Sequence, residues 1–505
     1  MCTGQVTPRT DLCGDGLDTD CDGLGDAGEG CLTAGGELRV DTGTTAGSSH
    51  SYDVQIAAGG SPHGRNLYAV WVDKRNGATT ADVWFSRSTD GGATWSSPTD
   101  LTTGTSDRAV EPVIAVGRNG TNDVVHVAYQ VVPVSGSASE RVRHVWVRSS
   151  TNSGGSFSSP QQLDTTSGTD NFKHAIATSA DGARVVVAWE QLNTTSLARR
   201  VFSRASTNSG GAWAAERHVS VNVGTVPTAG EPAVTVTSSG RFVFVWREAR
   251  PTARPTFDVY ATYSDDTGTA IPTARERRLD GDTGNTRASD DLSVASAGTS
   301  VYVAWVDVST SMGGGADIVF VRSTDDGASW GTERVIDDPG AMLSDSSEAA
   351  LAVDPRTTAA GDDRVFLAWR DTRDGTQIYF ASSLDGGASF TAAVRASQQS
   401  GGPVPGVSES PRIAFGGGDA VVVAYVNDAN GTATYSRVRA AVSIDAGLTW
   451  QLTDPTLDGG GGEATSPAIA RAEGTGLTVG ACVAWIDFRS GSRINGDVYR
   501  ARVGR

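Results

Sequence analysis

Leu292-Ser-Val-Ala295, Val301-Tyr-Val-Ala-Trp305, Ile318-Val-Phe-Val321, Ser323-Thr-Asp-Asp-Gly-Ala-Ser-Trp330 and Glu333-Arg-Val-Ile336 follow one another within a single stretch, and reading it decides the fold. Four short runs rich in β-branched and aromatic residues, parted by turn residues, specify one antiparallel four-stranded sheet. The second run is apolar on both faces, which suits a strand sandwiched between neighbouring sheets. Its terminal aromatic recurs as Trp71, Tyr129, Trp189, Trp246, Trp305, Trp369, Tyr425 and Trp485, at intervals of 56 to 64 residues. One supersecondary unit copied at a fixed period, each copy needing a neighbour on both faces, describes a β-propeller.

The eighth copy holds Pro467-Ala-Ile-Ala470, Cys482-Val-Ala-Trp485 and Asp497-Val-Tyr-Arg-Ala-Arg-Val503, and is one strand short. Glu37-Leu-Arg-Val-Asp41 resembles the fourth-strand segment Glu333-Arg-Val-Ile-Asp337 and runs straight into the first copy. The expected fold is therefore all-β: a β-propeller of four-stranded antiparallel blades, eight in number. An N-terminal strand over residues 37–42 completes the C-terminal blade, which removes its exposed edge. Residues 37–505 form this domain, and residues 1–36 are a separate Cys/Asp-rich segment.

The turn Ser323–Trp330 is the most specific motif. Copies stand at Ser88–Trp95, Ser383–Phe390 and Ser443–Trp450, with Asn for Asp in Ser150–Phe157 and Ser206–Trp213; Ser264–Ile271 has lost the aromatic. Asp or Asn accepts turn N–H groups and Gly supplies positive φ. The motif resembles the Asp box of the sialidase-like bacterial neuraminidase repeat. That resemblance implies a structural role, on the side away from the active site. It also brings sialidases into view, which use three arginines, a Tyr–Glu pair and an Asp acid/base. The Arg-Ile-Pro signature of their first blade is absent here, and no elbow, zinc-helix or P-loop motif replaces it.

Asp18-Thr-Asp20-Cys-Asp22-Gly23-Leu24-Gly-Asp26-Ala-Gly-Glu29 fits the twelve-residue calcium loop at every defining position. Asp18, Asp20, Asp22, the Leu24 carbonyl, Asp26 and a bidentate Glu29 would supply the oxygens, so calcium is the expected structural cofactor. The segment also resembles thrombospondin type 3 repeats and Cys/Asp-rich segments of secreted bacterial surface proteins. Cys2, Cys13, Cys21 and Cys31 crowd into it, the usage of disulfides in an oxidising compartment. Localisation outside the cell is expected, with a lipid on Cys2 as the alternative form. Cys482, alone in an apolar strand, reads as a small buried hydrophobe.

A formal charge of −17 argues against nucleic acid as partner, and no run of 18 apolar residues crosses a membrane. Recurrent charges follow the second strand (Asp73/Arg75, Glu248/Arg250, Asp371/Arg373, Asp487/Arg489) and precede the first (Glu111, Glu231, Glu348, Glu409). In propeller topology both sets share one face, so Arg75, Glu111, Glu231, Arg250, Glu348, Arg373, Glu409 and Arg489 are the candidate ligand-binding residues. Recurrence blade after blade is how structural ion pairs behave, whereas a catalytic group is needed once. The expected function is a secreted or cell-surface, non-catalytic monomer that binds a glycan or protein partner. The alternative is an exo-acting glycoside hydrolase of the sialidase-like superfamily.

Overall fold

The structure, a computed structural model, describes residues 33–60, 64–77, 80–103, 107–134, 142–220, 228–250, 256–265, 268, 270–281, 287–309, 315–337, 344–354, 362–398, 403–428, 435–451, 456–459, 462–474, 477, 479–489 and 495–504. The calcium-loop residues Asp18, Asp20, Asp22, Leu24, Asp26 and Glu29 lie outside them, as do Cys2, Cys13, Cys21 and Cys31. Among the described residues every regular element is a strand apart from one 3₁₀ turn, Thr273–Arg275.

The first sheet runs Ser51–Gly59, Asn66–Asp73, Asp82–Ser88 and Thr99–Asp100, each strand antiparallel to the next. The plan repeats in sheets starting at Arg108, Thr169, Thr228, Arg287 and Ser346. The third and fourth touch through one parallel bridge, Arg199 to Thr228. The seventh sheet, Val407–Gly417, Ala420–Asp428 and Arg437–Ser443, has only a bridge from Arg439 to Thr456 in fourth place. The eighth has Ala464–Arg471, Gly480–Asp487 and Asp497–Gly504.

The outer place of the eighth sheet is filled from the other end of the chain. Leu38 pairs with Arg500 and Arg39 with Tyr499, while the Val40 N–H donates to Val498 O at 2.8 Å. The strand expected over 37–42 is thus regular only at Leu38–Arg39. Thr33–Ala34 also pairs with Val503 and Gly504, so the sheet region begins earlier than the expected boundary at 37. Charges reinforce the pairing: Arg39 bridges Asp41 at 2.7 Å and Asp497 at 2.8 Å, and Glu37 joins Arg489 and the Gly459 N–H.

The core is a series of interlayers. All eight recurrent aromatics are essentially buried. Tyr68, Val70 and Phe85 of the first sheet pack on Val125, Val127 and Tyr129 of the second. Val54, Leu67 and Trp71 pack on Ala468, Cys482 and Ile486 of the eighth. Fully burying side chains of this size contributes about 1.5–3 kcal/mol each. Cys482 behaves as the sequence suggested: it is fully buried, and burial pushes its thiol up to about 12. Buried Asp123 pins the first sheet to the second, accepting from Gly60 N–H (3.0 Å), Asn66 Nδ2, Tyr68 Oη and Arg118 Nη1 (2.7 Å each).

The Ser-x-Asp turns join third to fourth strands. In the copy at 383–390, Ser383 Oγ donates to Asp385 Oδ1 and accepts from the Gly387 N–H, both at 2.7 Å. Asp385 accepts from the Ser389 N–H (2.8 Å) and Oγ (2.6 Å). Burial alone would raise the Asp385 carboxyl, but these hydrogen bonds overcome it and hold it at about 2. Asn152 shows why Asn substitutes: its Oδ1 takes the Ser156 N–H while its Nδ2 donates to Ser156 Oγ. Asp385→Asn should therefore leave Tm nearly unchanged, while Asp385→Ala should cost about 1 kcal/mol, read as a lower Tm. Equal effects of the two variants would contradict this account.

Candidate functional site

Each first strand carries a β-bulge near its start, and each bulge holds a non-glycine residue at positive φ. The eight are Asp53, Glu111, Lys173, Glu231, Asp291, Glu348, Ser410 and Ser466, with φ between 40° and 58°. The left-handed region is unfavourable for residues with a Cβ, so each position must be held by its surroundings. Carboxylates do part of this, sheet to sheet. The bulge N–H of Glu231 donates to Glu190 (3.3 Å), that of Glu348 to Asp291 (3.3 Å), and that of Ser410 to Glu348. Pro follows the bulge residue in four copies, at Pro112, Pro232, Pro411 and Pro467, where a missing N–H fits an interrupted ladder.

The expected glutamates thus lie inside the first strands, not before them. Glu111, Glu231 and Glu348 are true equivalents. Glu409 is not: it pairs directly with Val426 one residue ahead of the bulge, and Ser410 holds the equivalent place. Choosing the acid over its neighbour shifted the register by one, which in a strand turns a side chain to the other face. Glu111 accepts from Gln130 (2.9 Å), which also meets buried His174. Burial lowers His174 to about 4, so this imidazole is neutral at physiological pH. Glu231 pairs with Arg247 at 2.9 Å, and Arg247 also reaches Asp290 at 2.8 Å.

The four expected arginines are each occupied twice. Arg75 binds Asp73 at 2.6 Å and lies 4.1 Å over the Trp84 ring. Arg250 binds Glu248 (3.2 Å) and Glu276 and covers Tyr260. Arg373 binds Asp371 at 2.5 Å and covers Tyr379, while Arg489 binds Asp487 and Glu37 and covers Tyr499. Arg75 also donates to Thr42 O and Arg373 to Asp337 O, which ties each to the preceding sheet. Burial would raise Asp371, yet hydrogen bonds from Arg373 hold it below the usual carboxylate range.

A cavity of about 580 Å³ lies among the first strands of the first, fifth, sixth, seventh and eighth sheets. Asp291, Glu348 and Ser410 reach it from the bulges, and Arg412, Gln55 and Ser293 from two residues beyond. Sequence reasoning missed Arg412 and the bulge residues Asp53, Lys173, Asp291, Ser410 and Ser466. The readable signal was the Glu-Pro and Ser-Pro dipeptides recurring in step with the aromatics.

The fifth sheet breaks the arginine pattern. Asp307 occupies the place of Asp73 and Asp371, but position 309 is Ser, and Arg287 comes instead from the first strand. Its Nη1 stands 2.8 Å from Asp307 Oδ2 without hydrogen-bond alignment. Burial therefore dominates and pushes Asp307 up to about 7, against the opposing charge of Arg287. A carboxyl raised in the folded state costs stability as pH climbs from the unfolded value near 4 to the folded value near 7. Asp307→Asn should remove that decline. The expected result is a Tm close to the parent near pH 4 and higher at pH 8, by on the order of 1–3 kcal/mol. A constant difference across melts from pH 4 to 8 would refute it.

No curated protein matches the chain. Among solved structures, a Hadza microbial sialidase is 14% identical, with 72% of this chain and 73% of that one covered and a TM-score of 0.37. The leech intramolecular trans-sialidase is 10% identical over 95% of each chain, with a TM-score of 0.38. An α-L-arabinofuranosidase of Fusarium graminearum is 12% identical over 81% of this chain and 98% of that one, with a TM-score of 0.42. Residues 65–283, from the second strand of the first sheet to just past the fourth strand of the fourth, match the BNR repeat-like domain.

Proposed function

We propose that the eight sheets form one closed ring and that the chain is a secreted or cell-surface, non-catalytic propeller. Its partner, a glycan or a protein, binds at the face carrying the second-strand termini and bulges. Successive first strands touch in chain order, and the first strand of the eighth sheet touches that of the first, which supports closure. The observation that carries the non-catalytic reading is the double occupation of Arg75, Arg250, Arg373 and Arg489. Each has its own acid and its own aromatic ring, so gathering three on one substrate carboxylate would break three such sets. The phenols also argue against nucleophilic use. Burial raises Tyr68, Tyr129, Tyr260, Tyr302 and Tyr379 above their ordinary value, which disfavours the phenolate.

One observation favours an exo-acting glycosidase instead. Asp53 is raised by burial and by the neighbouring Glu111, and half-buried Tyr52 precedes it. A carboxyl held above its ordinary range beside a second carboxyl suits a general-acid role. A panel of aryl glycosides, sialosides included, separates the readings. The expected outcome is no turnover above background. Turnover abolished by Asp53→Asn in a protein of unchanged Tm would overthrow the binding reading.

Residues 1–32 complete the proposal, as a calcium-loaded, disulfide-bearing extension with ligands Asp18, Asp20, Asp22, Leu24, Asp26 and Glu29. Its support is the complete ligand pattern in the sequence. Calorimetric titration of the full chain with calcium should show binding that Asp20→Ala and Glu29→Ala each remove. A silent titration of the parent refutes the metal site.

A further inference from the structure

Two residues past each bulge the equivalent positions are Gln55, Val113, Ala175, Ala233, Ser293, Ala350, Arg412 and Ala468, each pairing with the residue just before the recurrent aromatic. Seven are small, apolar or neutral. One is a guanidinium, and it lines the cavity. Unlike the four arginines committed to second-strand acids, Arg412 appears once, as a ligand-binding group needs to. Among the described residues its guanidinium makes a single hydrogen bond, from Nη1 to its neighbour Pro411 O at 2.9 Å. A guanidinium has five N–H donors.

Asp291 and Glu348 line the same cavity and act on Arg412 through their charge, yet neither comes within the 4.0 Å of an ion pair. Glu348 Oε2 is used by the Ser410 N–H and Asp291 Oδ2 by the Glu348 N–H, which leaves one oxygen on each for a guest. Ile56, Leu351, Ile413 and Ile469 supply apolar wall. Opposite charges are therefore held apart across an open-mouthed space of small-molecule size. Arg412 and Asp291 are exposed to the cavity and Glu348 is half-buried, so water solvates them until a guest displaces it. An anion alone would meet two carboxylates, and a cation alone would meet the guanidinium. A guest bearing both signs satisfies all three groups, with a charge-assisted bond at each end.

We propose that this cavity binds a small zwitterion of the α-amino-acid type, its carboxylate on Arg412 and its ammonium between Asp291 and Glu348. Its apolar side chain rests on the isoleucine and leucine wall. This site lies on the bulge-bearing face assigned to the partner and shares Glu348 with it, so it deepens that reading, while the amino-acid titration and the aryl glycoside panel fail separately.

Isothermal titration of the full chain at pH 7 tests it, with free leucine, methionine and phenylalanine as probes. Isovalerate lacks the ammonium, isoamylamine lacks the carboxylate and glucuronate lacks both ammonium and apolar side chain; the three serve as comparisons. At least one amino acid should bind, and isovalerate and isoamylamine should bind at least about tenfold more weakly. Arg412→Gln and Glu348→Gln, checked by circular dichroism and Tm, should each weaken amino-acid binding by a similar factor. Absence of heat with every amino acid at millimolar concentration overturns the proposal. So does isovalerate or glucuronate binding as tightly as leucine, which would make the site one for simple anions. The ligand series on the parent protein decides the matter even where a variant fails to fold.

Discussion

A strand that is apolar on both faces has nowhere to go but between two sheets. That constraint, set by the runs ending in Trp71 through Trp485, organises the molecule. The buried clusters all straddle adjacent sheets, as Tyr68 and Phe85 do with Val127 and Tyr129. A lone copy would leave two apolar faces in water, so the copies are stable only together. The polar structure follows from it. Asp123 and its four donors sit where two sheets meet, and Arg75 and Arg373 reach back to carbonyls of the sheet before.

The fold was legible because its signals are local and repeated. Strand order follows from turns too short to permit other pairings, and the aromatic at each second-strand end announced its own burial. The pairing of Leu38–Arg39 with Asp497–Gly504 spans the whole chain, yet a missing strand at one end and a spare one at the other disclosed it. Site residues were harder to read. A bulge moves register by one, and no composition signal separates Glu409 from Ser410 as the bulge residue. Whether an arginine is committed depends partly on side-chain geometry: the aspartate two residues before Arg373 is legible, but the tyrosine beneath it and the cavity beside Arg412 are not.

Repetition also sorts the charges by role. Groups present in many copies form the joints: the Asp–Arg pairs of the second strands and the carboxylates that hold bulge amides. Departures from the repeat are the informative places. Asp307 has no arginine at position 309 and is raised by burial, whereas Arg412 stands where the other copies hold small, apolar or neutral residues and lines the cavity. The first departure alters stability with pH; the second alters what the interior can hold.

The pairing of the two chain ends has a mechanical consequence. A tether applied at the N-terminal side pulls on only a few backbone hydrogen bonds and on the charges of Glu37 and Arg39, while the first three strands of each interior sheet are laced by long ladders. Force along such a tether would load this seam before it reaches the three-strand ladders behind it. New termini cut into an interior turn, with the present ends joined by a short linker, would move that weak point elsewhere and leave the contact layers intact.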